Sequence, residues 1–333
     1  MNKKNKFGLI IILLVSIYFI GPKVDEPEFN HIVPSIEMSL TAMEDSIVQS
    51  EHFVTELKED NEARIIWFDS LKKEKTAIAI VYLHGFTASQ EEGAPVHKML
   101  SKRYGCNLYL ARLNKHGRNK KEALQFMTAE GLYEDALRAI AIGKKLGEEV
   151  IVVSTSTGGT LSLLYSAFHN DLKGIINYSP NIRIRQKVSY LLDKPWGLQF
   201  ARAAYKGKYK LDDCDDYGEK YWNCKTRLEA IIELESLVDN SMTQETFKRI
   251  TTPSFTAYYF KDEKNQDPTV SAQAIEWMHE NLATPENKKW LRSFPDAESH
   301  VIANPHYSKA WKEVYESSCE FIEKVLEVKP FEP

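Results

Sequence analysis

Three residues far apart in the chain could together perform nucleophilic acyl chemistry: Ser156, Asp267 and His300. Ser156 lies in Ser154-Thr155-Ser156-Thr157-Gly158-Gly159, where small neighbours allow a sharp strand-to-helix turn that projects a hydroxyl from the backbone. A serine hydroxyl is almost wholly protonated at neutral pH, so attack on a carbonyl needs a nearby base. His300, which closes the loop Pro295-Asp-Ala-Glu-Ser-His300, is the candidate base, and Asp267 the candidate carboxylate that orients it. Asp262 and Glu263 share the loop with Asp267 and are its rivals. Acyl transfer also needs donors for the oxyanion of the tetrahedral intermediate. The backbone amides of Phe86, in His84-Gly85-Phe86-Thr87, and of Thr157 are assigned that role.

These groups need a frame that brings them together. Residues 149–153 include a β-branched apolar run before the Ser156 turn, and residues 160–168 are apolar at helical spacing after it. Residues 63–68, 77–83, 107–111, 174–178, 254–260 and 289–294 are further β-rich runs, alternating with helical segments. That alternation predicts a mostly parallel sheet with helices on both faces. Ligands of such sheets bind beyond the carboxyl ends of the strands, where Phe86, Ser156, Asp267 and His300 all fall. The chain order Ser156, Asp267, His300 is also that of α/β-hydrolases rather than of chymotrypsin or subtilisin.

On these residues the chain resembles the α/β-hydrolase superfamily, in its monoacylglycerol lipase-like and serine aminopeptidase-like esterase branch. The resemblance spans residues 60–328 and rests on His84-Gly85-Phe86, Leu113-Asn114-Lys115-His116-Gly117, the Ser156 turn, Asp267-Pro-Thr-Val-Ser and His300. It implies a Ser156–His300–Asp267 triad, and it favours Asp267 over its rivals because Asp-x-x-Val recurs there in the family. Two departures stand out: Ser154 replaces the first glycine of G-x-S-x-G, and Ser299 replaces the glycine often found before the histidine. Neither removes a reacting group. The implied activity is cleavage of carboxylic esters through an acyl-enzyme. A peptidase or thioesterase with the same triad is the enzymatic alternative, and a catalytically silent binding protein the alternative from another class.

Residues 181–249 interrupt the βα alternation and are rich in aromatics, among them Trp196, Phe200, Tyr205, Tyr209, Tyr217, Tyr221 and Trp222. They read as an inserted helical lid over the serine, with Trp196, Phe200 and Trp222 as substrate-contacting candidates and an apolar small-molecule ester as substrate. The other histidines carry less: His84 and His116 read as loop-shaping, and His306 as a fallback base. His31, His52, His97, His169 and His279 read as surface or packing residues.

Lys3, Lys4 and Lys6 precede an apolar run over residues 7–20. It is short for a bilayer span and of the right length for a signal-peptide core, without a small-x-small cleavage site. Residues 1–24 are therefore expected to be a signal or membrane anchor, with positive charge on the cytoplasmic side and the catalytic domain exported. Residues 25–60 are expected to form a helical extension, with an amphipathic helix over 34–54 presenting Ile36, Leu40, Met43 and Ile47, and residues 61–333 the catalytic domain. Export makes a Cys214–Cys224 disulfide expected, with Cys106 and Cys319 as buried thiols.

With 333 residues and 43% hydrophobic content the chain can bury one large core. A net charge of −4 and a short basic stretch over 115–121 without interleaved aromatics argue against a nucleic-acid partner. No cofactor or metal is expected: no His, Cys or carboxylate set has ligand spacing. The Asp212–Asp216 acidic run lacks the EF-hand pattern.

Overall fold

Strands covered on both faces read as nearly unbroken apolar runs, and two such runs form the centre of the sheet: β2 (Thr76–Leu83) and β4 (Gly147–Thr155). In this computed structural model, which describes residues 3–332, they are flanked by β1 (Arg64–Ile66), β3 (Asn107–Leu110) and β5 (Gly174–Tyr178). Two short strands of the insertion, β6 (Tyr209–Leu211) and β7 (Lys225–Arg227), precede the last core strands, β8 (Ser254–Tyr258) and β9 (Lys289–Ser293). The seven core strands run in the order β1-β3-β2-β4-β5-β8-β9, all parallel except β1, which pairs antiparallel with β3. All seven β-rich runs predicted from sequence thus become neighbours in one mostly parallel sheet.

Successive residues of a strand face opposite sides, and β2 divides the core accordingly. Ala79, Val81 and Leu83 pack with Val150 and Val152 against one helical layer, while Ile80 and Tyr82 pack with Ile151 and Val153 against another. In chain order the helices are α1 (Lys3–Phe19), α2 (Leu40–His52), α3 (Val96–Arg103), α4 (Ala129–Leu146), α5 (Thr157–Phe168), α6 (Gly197–Ala204), α7 (Asp216–Tyr221), α8 (Leu228–Ser241), α9 (Gln244–Phe247), α10 (Ala272–Asn281) and α11 (Trp311–Lys324). Helices α2, α4, α5, α8 and α10 contribute to the first layer, α3 and α11 to the second.

The extension differs in detail from its expectation. Helix α2 begins at Leu40 rather than near Pro34, because the Ser39 side chain accepts the Ala42 N–H and caps the helix there. Met43 and Ile47 are buried on its inner face, and Ile36 and Leu40 pack partly buried beside them. Upstream, the chain is extended, and His31 stacks on Phe168 with ring centroids 3.4 Å apart. Helix α1 has 17 residues, and no helix among the described residues is long and apolar enough to cross a membrane.

The insertion between β5 and β8 holds α6 to α9 and the β6–β7 antiparallel pair, which sequence reading did not anticipate. Cys214 and Cys224 are joined, and Cys106 and Cys319 are buried free thiols. Arg227, only 8% exposed at its side chain, ties β7 to α8 through Glu229 and to the body through Glu122.

Candidate active site

Strand β4 ends where α5 begins, and Ser156 makes the turn at φ 53° and ψ −116°. A left-handed φ is costly for a residue with a Cβ and persists only where its surroundings impose it. Here they do: the Ser156 N–H donates to Tyr178 O at 2.9 Å, and its carbonyl accepts from the amides of Gly159 and Asn181, both at 2.9 Å. The two glycines permit the close passage. A Cβ at Gly158 would lie 2.0 Å from Leu83 O, and one at Gly159 2.6 Å from Pro180 Cβ. Ser154, in place of the usual glycine, is accommodated by chemistry: its buried Oγ donates to Asn177 Oδ1 at 2.7 Å, which also accepts from Ser162 Oγ at 2.6 Å.

His300 and Asp267 come from the loops after β9 and β8 and meet at 2.8 Å, Nδ1 to Oδ2. Asp267 is fully buried, and its other oxygen accepts the amides of Thr269 at 2.8 Å and Val270 at 3.0 Å. Burial pushes this carboxyl up, but the charge and hydrogen bond of His300 and the two backbone donors hold it below the usual carboxylate range. The rivals lie elsewhere: Asp262 is exposed and bonds Asn265 within its own loop, and Glu263 is exposed. His306 pairs instead with Asp215 at 2.7 Å and stacks on Tyr217.

The loop after β2 supplies the opposing wall. Gly85 passes so close to the serine that a Cβ there would lie 2.8 Å from Ser156 Cβ. Among the described residues neither the Phe86 nor the Thr157 amide donates a hydrogen bond within the chain, and both residues line the same cavity as Ser156 and His300. Thr157 opens α5, so its amide also carries the positive end of the helix dipole. His84 and His116 brace this loop. The Leu113 amide donates to His84 Nε2 at 3.1 Å and the Thr87 amide to His116 Nε2 at 3.1 Å, which leaves each Nδ1–H for a carbonyl, Gly85 O and Asn114 O. Burial keeps both rings neutral, pulling His116 down to about 4 and His84 well below its ordinary value.

The cavity, of about 860 Å³, extends from Ser156 beneath the insertion. Its lining includes the apolar residues Ile184, Leu191, Leu192, Phe200, Ile231 and Leu234 and the charged residues Lys210, Asp212, Asp213 and Asp215. Of the three aromatics named from sequence, Phe200 and Trp222 line it. Trp196 does not: it caps α6 at φ 68°, its indole N–H donates to Ile17 O at 3.0 Å, and its ring packs on Gly21. The N-terminal segment claims this ring, a contact between residues 179 positions apart that no local pattern signals. Sequence reading also passed over Glu92, which is buried in the cavity wall and accepts the Gly85 amide at 2.6 Å. Among the described residues no group of three or more His, Cys, Asp or Glu is placed to hold a metal ion.

No family model matches the sequence, and no curated protein matches it. Solved structures do. The fold is similar to that of a metagenome-derived lipolytic enzyme of the LipS and LipT pair, with a TM-score of 0.63 and 16% identity over 80% of this chain and 99% of that one. A monoacylglycerol lipase of Paleococcus ferrophilus matches with a TM-score of 0.57 and 12% identity, covering 80% and 98% of the two chains. Est1E from Butyrivibrio proteoclasticus, with ferulic acid bound, matches at 0.55 and 16% identity over 80% and 95%. The chain has the α/β-hydrolase fold.

Proposed function

We propose that the protein is a serine hydrolase that cleaves carboxylic esters of an apolar acyl group. The observation that carries this reading is the convergence, in one cavity, of Ser156, the His300–Asp267 pair and the amides of Phe86 and Thr157, both without a partner among the described residues. With Nδ1–H committed to ionised Asp267, His300 keeps its Nε2 lone pair for the serine proton. Ser156 Oγ then bonds to the ester carbonyl carbon while His300 takes the hydroxyl proton, and the Phe86 and Thr157 amides receive the carbonyl oxygen as it becomes an anion. Collapse expels the alcohol, which leaves with the proton from His300. Water, activated by the same imidazole, repeats the sequence on the acyl-enzyme, releasing the carboxylic acid and restoring the serine.

The insertion acts as a lid. Its apolar lining residues suit an acyl chain, and the charged Lys210 and Asp212 in the same lining suit a hydrophilic alcohol, as in an acylglycerol. The lipase and esterase folds reported above support the same reaction class. We further assign residues 1–24 to export, as a signal or an uncleaved anchor holding the domain outside the cytoplasmic membrane. The basic-then-apolar order and the Cys214–Cys224 disulfide, a bond that persists in oxidising compartments, support this.

One experiment tests the reading. Full-length protein in mild detergent is labelled with a fluorophosphonate and assayed on p-nitrophenyl esters of increasing acyl length, beside Ser156→Ala. Wild type is expected to label and to turn over, and the variant to lose turnover by about a millionfold while melting like wild type. A membrane-impermeant fluorophosphonate is expected to label the wild type in intact cells. A folded wild type that neither labels nor turns over overturns the hydrolase assignment, and labelling confined to lysed cells overturns the export assignment.

A further inference from the structure

The loop that carries Phe86 turns back on itself through the 3-10 turn Gln90–Gly93, which returns Glu92 to Gly85. Glu92 is 2% exposed, and apart from the 2.6 Å bond from the Gly85 amide its carboxyl makes no hydrogen bond among the described residues. The other carboxyl oxygen is left for the cavity, which Glu92 lines. That oxygen, Oε1, lies beside the nucleophile. A Cβ at Gly85 would be 2.9 Å from it and 2.8 Å from Ser156 Cβ, so those two atoms are separated by no more than the sum of these distances.

The hydrogen bond fixes more than Gly85 itself. The Gly85 carbonyl is held from its other side by His84 Nδ1 at 2.9 Å and the Ala88 amide at 3.3 Å. In a trans peptide the following N–H points opposite that carbonyl, so pinning Gly85 aims the Phe86 amide. We propose that Glu92 is a positioning residue of the hydrolytic site: a second carboxyl that anchors the Gly85 amide, next to the peptide that offers the Phe86 N–H to the oxyanion, and that shares the cavity wall with His300. This rests on the serine-hydrolase reading above.

The groups around Glu92 define its electrostatic part. His300, paired with Asp267, and Tyr307 line the same cavity as Glu92, and the charges of Glu92 and its neighbour Glu91 also act on Tyr82 of β2. Burial pushes the Glu92 carboxyl up to about 7, against the opposing charge of His300 and the Gly85 bond. Burial pulls His300 down, but Asp267 and then Glu92 raise it above its ordinary value overall. The charge of each group shifts the other, Glu92 raising His300 and His300 lowering Glu92, so the acid limb of wild-type activity belongs to the pair rather than to His300 alone.

The sign follows. A carboxylate beside His300 stabilises its protonated, inactive form, so removing that charge lets the base work at lower pH. Glu92→Gln keeps an oxygen for the Gly85 amide and removes the charge; Glu92→Ala removes both. In kcat/KM against pH, on a p-nitrophenyl ester with full-length protein, Glu92→Gln is expected to move the acid limb down by about one pH unit and sharpen it to a single proton. Glu92→Ala is expected to show the same limb with kcat lower by about tenfold or more, as the oxyanion donor loses its aim. A Glu92→Gln limb superimposable on wild type overturns the electrostatic part, and a Glu92→Ala kcat equal to that of Glu92→Gln overturns the positioning part. Fluorophosphonate labelling lost in Ser156→Ala shows that the parent reading holds while these outcomes are judged; labelling that survives that substitution is instead a failure of the parent reading.

Discussion

The catalytic edge of the sheet and the insertion above it are held together by different forces. At the sheet edge, Ser156 is fixed by Tyr178 O and the amides of Gly159 and Asn181, and Asp267 by the amides of Thr269 and Val270: backbone to backbone or backbone to one short side chain. In the insertion the ties are long side chains and a covalent bridge. Arg227 spans Glu122 and Glu229, Arg202 reaches Glu229 at 2.5 Å, Lys194 joins Asp193 and Asp239, and Cys214 is bonded to Cys224. Backbone contacts survive changes of side chain and leave the reacting atoms little freedom, whereas side-chain ties can be re-drawn without disturbing the sheet. On the function proposed above, this arrangement would separate chemistry from selection, the edge setting how fast an ester is cleaved and the insertion which ester arrives.

The largest expected effect lies at the edge. Asp267→Asn keeps the shape but can donate a proton to His300 where an acceptor is needed, inverting the imidazole tautomer. By analogy with the protease triad, kcat is expected to fall by about ten-thousandfold. The loss should be the same for short and long acyl esters, because it strikes the step common to both. Asp262→Asn, in the same loop but exposed, is expected to leave kcat/KM within about twofold, in line with a surface substitution. Full activity in Asp267→Asn together with its loss in Asp262→Asn would reverse the assignment of the acid.

The same contrast explains what could be read from the amino-acid sequence. Strands β2, β4, β5 and β8 are buried on both faces, so their apolar runs are long enough to stand out, and the segments after β2, β4 and β8 carry Phe86, Ser156 and Asp267. The Ser156 turn is legible because its glycines answer a steric demand, visible at Gly158 against Leu83 O. Strands β6 and β7 were not legible: at three residues each, Tyr-Lys-Leu and Lys-Thr-Arg, they are too short for an apolar run or an alternation to stand out. Trp196 reads as a pocket aromatic from its neighbours in sequence, yet its indole is engaged by the backbone of Ile17. Glu92 escaped because its meaning lies in a fold-back onto Gly85, and a glutamate after Gln90 and Glu91 looks like any solvated acidic turn.

An intermediate effect is expected where the insertion meets the body. Arg227→Ala leaves Glu122 and Glu229 without their shared cation, and its side chain is nearly buried while Glu122 is open to water. The loss of stability is expected to be smaller than that of a fully buried pair, because solvent screens part of it. A lower melting temperature should accompany a raised KM, with kcat at saturation and fluorophosphonate labelling close to wild type. A variant that instead loses kcat at unchanged KM would mean that the insertion shapes the reacting geometry, and the division between edge and insertion would fail.

The smallest effect tests the division most finely. Phe200 is among the apolar residues lining the cavity but is 59% exposed, so truncating it removes one side of the wall rather than a core contact. A short acyl group held near Ser156 should not register the change. A longer chain loses contact worth one or two methylenes, about 1 kcal/mol, which is roughly a fivefold drop in kcat/KM. In Phe200→Ala the loss is therefore expected to grow along a p-nitrophenyl butyrate, octanoate and dodecanoate series and to reside in KM. An equal loss at every chain length would place Phe200 outside the acyl path and assign its ring to packing of α6; a gain for the longest ester would mean that the ring blocks the path rather than lines it.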